Sequence, residues 1–209
     1  LKTVFGVVSV HNIPILDAIA KRNLIKFVPA RGEMGAGHMA DGFARSSDKV
    51  GVVITSTGPG AANVVGSIVE ARFAGTPLLH ITGQTATENL DKNQGTVHDV
   101  PNQLEMMKSV SKNAYRISSS KNVLEVLEKA LEEAMTPPTG PVSIEVPIDV
   151  QRTIINRQEI FNKVIVNDKN ISLGDLKSLD LIEREIRKSK RKILSVSYTH
   201  LTLPTRLMV

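Results

Sequence analysis

From residue 2 to residue 146 the chain alternates short, β-branched apolar runs with longer stretches whose apolar positions recur at helical spacing. The runs predict strands over 3–7, 25–28, 50–55, 78–82, 114–117 and 142–146, and the stretches predict helices over 14–21, 33–46, 61–75 and 123–135. Start signals support the first and last helices, with Asn12 and Pro14 at one and Ser119, Ser120 or Asn122 at the other. Strands apolar on both faces and separated by helices imply an α/β fold: a doubly wound parallel sheet flanked by helices on both faces. In such a sheet ligands bind outside the carboxyl ends of the strands. Segments 8–12, 31–33, 56–63 and 83–102 fall there, and the last is a polar loop long enough to signal function rather than connection.

Composition narrows the class without changing the fold. The 209 residues are 41% hydrophobic and 22% charged, a globular balance that excludes a disordered tail or a fibre. Cysteine is absent, which excludes disulfides, thiolate metal sites and cysteine nucleophiles. No apolar run approaches the roughly 18–20 residues of a membrane span, and no signal peptide opens the chain, so a cytoplasmic protein without membrane contact is expected. The formal charge of +5 is uneven: residues 1–150 carry 14 Lys+Arg against 15 Asp+Glu, and residues 151–194 carry 11 against 6. The densest basic stretch, 184–192, reads as a solvated helix face, and aromatic platforms for stacking bases are scarce. Nucleic acid is therefore not an expected partner.

The pattern divides the chain into a domain at 1–150, a polar linker at 151–174, the beginning of a second, truncated domain at 175–194 with an amphipathic helix over 176–190, and a tail at 195–209. That tail fits no domain pattern; it resembles the conceptual translation of a transposase-type sequencing adapter and is set aside as non-native. A sheet whose first strand opens at residue 2 or 3 points the same way, to a fragment of a longer protein.

Two loops carry candidate chemistry. In Arg31-Gly32-Glu33-Met34-Gly35-Ala36-Gly37-His38, a carboxylate opens a helix that holds two glycines in its first turns and Ala36, Ala40 and Ala44 on one stripe. Interior glycines disfavour a helix by about 1 kcal/mol each relative to alanine, so that stripe reads as a very close packing surface. On residue types alone, the favoured reading of Glu33 is a simple carboxylate at the positive end of a helix. In Thr55-Ser56-Thr57-Gly58-Pro59-Gly60-Ala61-Ala62-Asn63, a glycine-rich turn joins a buried strand to a helix. It is similar to a dinucleotide fingerprint, so a Rossmann-type nucleotide-binding domain is the alternative reading. Against it, Asn63 stands where a small residue belongs, Pro59 lacks an amide donor, and no acidic residue ends the following strand.

Arg-x-Glu-x-Gly-Ala-x-His-x-Ala-x-Gly-Phe-Ala-Arg at 31–45, followed by Gly-Val-Val-Ile-Thr-Ser-Thr-Gly-Pro-Gly-Ala-Ala-Asn at 51–63, closely resembles the pyrimidine-binding domain of thiamine-diphosphate enzymes. The acetolactate synthase and pyruvate oxidase branch is the most similar. Gly75-Thr76-Pro77, Ile81-Thr82-Gly83-Gln84, Ser111-Lys112 and the run from Thr139 to Gln151 extend the resemblance over residues 3–151.

The resemblance implies a thiamine-diphosphate- and Mg²⁺-dependent ligase or decarboxylase acting on a 2-keto acid, with FAD as a further possible cofactor. It implies self-association, with the cofactor between two subunits and the Mg²⁺ held by a C-terminal domain outside this chain; no metal ligands are assigned here. Glu33 matches the carboxyl group that hydrogen-bonds the pyrimidine N1′ and promotes the imino tautomer needed to remove the thiazolium C2 proton. Pro59 and Asn63 match residues bordering the aminopyrimidine. Departures fall at 7–12 and at 96–103, where His98 stands near the implied cofactor. His98 has two readings, a proton relay as in decarboxylating relatives or a loop histidine satisfied by backbone. His11 faces the same mouth, and His38 reads as a packing residue within its helix. A 2-keto acid decarboxylase without ligase activity is accordingly a further alternative.

Overall fold

The structure, a computed structural model, describes residues 1–47, 49–92, 94–155 and 176–188. The chain divides into two compact units, Leu1–Asn162 and Lys163–Val209. The first contains a six-stranded sheet with strands β1 (Thr3–Gly6), β2 (Lys26–Pro29), β3 (Gly51–Thr55), β4 (Leu78–Gln84), β5 (Asn113–Arg116) and β6 (Pro141–Pro147). Their order is β2-β1-β3-β4-β6-β5, and every pairing is parallel. All six strands of the sequence reading are present.

Alternation along the buried strands sends side chains into two separate cores. Val4, Val52, Ile54, Leu79 and Ile144 face one side, where α1 (Ile13–Arg22) contributes Ile15, Leu16 and Ile19, and α6 (Val123–Met135) contributes Ala130 and Ala134. Phe5, Val53 and Leu78 face the other, against Ala36 and Ala40 of α2 (Glu33–Ser47) and Ile68 and Ala71 of a later helix. Both faces are covered, as a parallel sheet requires.

The helical stretch expected over 61–75 is two helices, α3 (Pro59–Asn63) and α4 (Val65–Phe73), with Val64 at the junction. Two further helices were not expected: α5 (Gln103–Val110), inside what read as loop-to-strand connection, and the short α7 (Ile148–Arg152) directly after β6. The glycine stripe of α2 splits by direction. A Cβ at Gly37 would lie 1.9 Å from Ser67 Oγ on α4, so this glycine does mediate close packing, whereas Gly35 has nothing within 4 Å of the same position.

Within the second unit, the described residues form α8 (Leu176–Lys188), with ion pairs from Arg187 to Glu183 and from Lys188 to Glu185. Leu181, Ile182 and Ile186 are exposed on it. Most of the expected linker, and the whole of the tail at 195–209, lie outside the described residues. No helix among the described residues is long and apolar enough to cross a membrane.

Inside the sheet, His80 is fully buried, with Nε2 2.9 Å from Thr55 Oγ1 and Nδ1 3.0 Å from Ser143 Oγ, which in turn lies 2.7 Å from Ser111 Oγ. Desolvation lowers its pKa from 6.5 to about 3, so the ring stays neutral in the folded protein. The unfolded chain takes up that proton first, so the associated stability is complete above about 6.5 and drains away as pH falls toward about 3. Urea unfolding should therefore show a loss of up to about 1.4 kcal/mol per pH unit through this window that is absent in His80→Gln. Identical pH profiles for the two proteins would contradict it.

Candidate functional site

The order of strands reverses between β1 and β3, and the loops leaving these strands meet across the gap. Ser9 Oγ lies 2.6 Å from Ser56 Oγ, and the Val7 amide donates to the Ile54 carbonyl. Asn12, expected as a side-chain cap for α1, instead bridges its own loop: Oδ1 accepts from the Ser9 amide and Nδ2 donates to the Val7 carbonyl. The mouth formed here is thus pinned by polar side chains rather than by packing.

Beside it, the turn after β3 runs against the start of α2. Gly60 is buried and nothing larger fits: a Cβ there would stand 2.7 Å from Ser56 Cβ and 2.9 Å from Glu33 Oε1. The second carboxylate oxygen, Glu33 Oε2, accepts from Asn63 Nδ2 at 3.3 Å. The fold therefore brings Glu33, at the first residue of α2, together with Asn63 at the end of α3. Pro59 opens α3 and is exposed beside them. Carboxyl, carboxamide and apolar ring surface lie at one open edge.

Phosphate is poorly served by the same turn. The Gly58 amide is taken by Gln103 Oε1 at 2.6 Å, Pro59 has no N–H, and the Gly60 amide donates to the Thr57 carbonyl. A Rossmann-type cradle needs such amides free. Among the described residues no three His, Asp or Glu side chains gather as a metal site.

His98 lies in the loop after β4 with φ 63°, and its carbonyl closes over Gly58, where a Cβ would come within 2.0 Å of it. Its ring is exposed and stands 5.3 Å, centroid to centroid, from that of His11. Burial first, and then the nearby His98, lower the pKa of His11. The two histidines flagged in the sequence thus form a pair at the mouth. His38 differs from expectation: the buried stripe of α2 is Ala36, Gly37, Ala40, Asp41 and Ala44, and His38 points away from it into the exposed face.

Sequence reasoning missed Gln103, Glu145 and Arg116. Gln103 and Glu145 are each about 1% exposed, and Arg116 joins Glu145 to Asp91 on the loop after β4. An acidic residue inside the apolar run Val142-Ser143-Ile144-Glu145-Val146 was the available signal, since a carboxylate buried in a strand requires partners.

Fold and site define an α/β domain with a doubly wound parallel sheet, whose open edge presents a carboxyl, a carboxamide and an apolar ring without free amides for a phosphate chain. Residues 1–106 match the family described as thiamine pyrophosphate enzyme, N-terminal TPP binding domain, and the chain belongs to that family. It is similar to the acetolactate synthase large subunit of Lactococcus lactis, 32% identical over 173 residues that cover 83% of this chain and 28% of that protein. It is also similar to the mitochondrial acetolactate synthase catalytic subunit of Saccharomyces cerevisiae, 35% identical over 153 residues covering 73% of this chain and 22% of that protein. The corresponding protein of Aspergillus candidus is 29% identical over 193 residues, 92% of this chain and 27% of that protein. The chain thus spans between about a fifth and just over a quarter of the length of these relatives.

Two outcomes follow from this geometry. Gly60→Ala should destabilise the chain by about 1–3 kcal/mol in urea unfolding, because the new methyl group meets Ser56 and Glu33; unchanged stability would contradict the packing. Replacing His98 with Gln should raise the His11 pKa, read by NMR titration of its ring protons, yet leave it below 6.5, because burial is the larger cause. No movement, or complete return to 6.5, would contradict the assignment of causes.

Proposed function

We propose that this chain is the pyrimidine-holding, N-terminal part of a thiamine-diphosphate- and Mg²⁺-dependent enzyme acting on 2-keto acids, acetolactate synthase-like in its chemistry. The observation that carries the reading is the Glu33 carboxylate, held between Gly60 and Asn63 at an open edge beside Pro59, in a chain of this cofactor family. These residues fit the aminopyrimidine. Glu33 would share a proton with its N1′, Pro59 would give an apolar surface to the ring, and Asn63 would steady the carboxylate and hydrogen-bond the ring edge.

When bound, thiamine diphosphate would supply a nucleophilic carbon and an electron sink for decarboxylation of a 2-keto acid, with its ring held by Glu33, Pro59 and Asn63. Glu33, fixed by the hydrogen bond from Asn63, would present its carboxyl to the ring nitrogen and so bias the tautomer of the ring. The fit stops at the pyrimidine: the described residues offer neither a phosphate cradle nor metal ligands. The diphosphate and Mg²⁺ are assigned to a further domain of the complete protein, contributed by a partner subunit across a dimer interface, and an FAD site to its central domain. On this reading residues 1–150 are the pyrimidine domain, α8 belongs to the beginning of the central domain, the enzyme is cytoplasmic, and the fragment is inactive alone.

A decarboxylase without ligase activity is the second reading, favoured by the His11–His98 pair. Two imidazoles at the mouth can hold and deliver the proton that releases an aldehyde. A ligase would instead admit a second carbonyl there.

Two-dimensional NMR of the ¹⁵N-labelled chain with millimolar thiamine diphosphate should shift the amides of Glu33, Gly60 and Asn63, while NADH should leave them in place. Shifts with NADH alone would overturn the reading in favour of a nucleotide domain. In the complete enzyme, Glu33→Gln should lower turnover by a factor of about 100 or more with the fold unchanged. Unchanged turnover would remove Glu33 from the proton transfer.

A further inference from the structure

Gln103 is the first residue of α5, follows Asn102 in left-handed conformation, and is buried between the turn after β3 and the ends of β4 and β6. Its amide uses every hydrogen-bonding position it has. Oε1 accepts from the Gly58 amide at 2.6 Å and from Thr57 Oγ1 at 2.8 Å, while Nε2 donates to Glu145 Oε2 at 3.1 Å and to the Gly83 carbonyl at 3.3 Å. The Thr57 hydroxyl has one proton, shared between Gln103 Oε1 and Gln84 Oε1 at 3.2 Å.

The orientation of that amide is dictated by its neighbours. Glu145 and the Gly83 carbonyl only accept, so they select the NH₂ end; the Gly58 amide only donates, so it selects the oxygen. A reversed amide would set acceptor against acceptor and donor against donor. Glu145 is itself fixed, taking hydrogen bonds from Gln84 Nε2 at 3.2 Å and from Arg116 Nε, and Arg116 is held from outside by Asp91 at 2.6 Å. The buried carboxylate is thereby compensated where it stands.

Beyond Gly58 the same turn builds the site. Gly58 has φ 55° and ψ −111°, a conformation that L side chains rarely adopt, and the next two residues are Pro59 and the Gly60 that abuts Glu33. We infer that Gln103 is the positioning residue of this site: it sets the Gly58–Gly60 turn against Glu33, and Glu145 chooses the amide orientation that makes this possible. The hydrogen bonds of Gln103 go to Thr57, Gly58, Gly83 and Glu145 rather than to Glu33. The inference rests on the thiamine-diphosphate reading above.

The test uses the 209-residue chain labelled with ¹⁵N and ¹³C, and begins with the wild-type protein. A scalar coupling across the hydrogen bond from Gly58 N to Gln103 Cδ should be present, with slow hydrogen exchange at Gly58; absence of both overturns the inference without reliance on any variant. Next, Gln103→Glu places two acceptors face to face. At neutral pH its Gly58 exchange should rise, and its affinity for thiamine diphosphate, read from the Asn63 amide, should fall by about tenfold. As the pH is lowered the new carboxyl regains a proton, can again donate to Glu145, and both properties should recover.

Gln103→Leu should show the same loss with no recovery on acidification, which separates the hydrogen-bonding role from simple filling of space. Equal thiamine diphosphate response in wild type, Gln103→Glu and Gln103→Leu overturns the positioning role. A complete protein that carries the Gly58 coupling but does not bind thiamine diphosphate in the presence of Mg²⁺ overturns the cofactor reading instead.

Discussion

Where β3 ends, the chain must turn into a helix while the amides and hydroxyls of the turn are closed off from water. A buried polar group without a partner costs roughly 1–3 kcal/mol, so each of these groups needs one. Gly58 and Thr57 find theirs on Gln103, Thr82 Oγ1 donates to the Ser56 carbonyl, and Ser9 meets Ser56 from the neighbouring loop. This set of bonds, anchored on Glu145 and Arg116, ties the carboxyl edges of β1, β3, β4 and β6 into one platform. The position of Glu33 depends on it, because Gly60 belongs to the same turn.

Rigidity on one side of the platform is matched by openness on the other. Pro59 and Asn63 are exposed, Gly35 has empty space where a side chain would stand, and His38 projects outward from the first turns of α2. The proposed cofactor would be gripped by its ring here and by its phosphates elsewhere, which accounts for a site that offers a carboxyl, an amide and an apolar surface but no cradle of free amides. Catalysis of this kind needs a precisely held carboxyl more than an enclosing pocket, since the tautomer of the ring responds to one hydrogen bond. The histidine pair at the mouth lies on the departures from the acetolactate synthase pattern, and it is there that the fate of the decarboxylated substrate would be decided.

Much of this was legible in the residues. Strands apolar on both faces, such as Val52-Val53-Ile54, imply a parallel sheet, and the motif around Glu33 and Gly58-Pro59-Gly60 implied the family. Local pattern failed where tertiary structure decides. The helix over Gln103–Val110 is short and preceded by Pro101 and Asn102, so it read as the end of a loop; Leu104 and Met107 at helical spacing were its faint signal. Val64 gave no sign that it would divide two helices. Gly35 and Gly37 looked equivalent, and only the direction of each toward or away from α4 separates them. The network of Gln103, Glu145 and Arg116 draws on residues 42 and 29 positions apart, a spacing no motif encodes.

The most direct measurement is the structure of the complete protein bound to thiamine diphosphate. The account places a Glu33 carboxylate oxygen within hydrogen-bond distance, roughly 2.7–3.2 Å, of the pyrimidine N1′, with Pro59 against the ring and the Gly58 turn unmoved. A pyrimidine ring bound elsewhere, or N1′ facing any group other than Glu33, would contradict it.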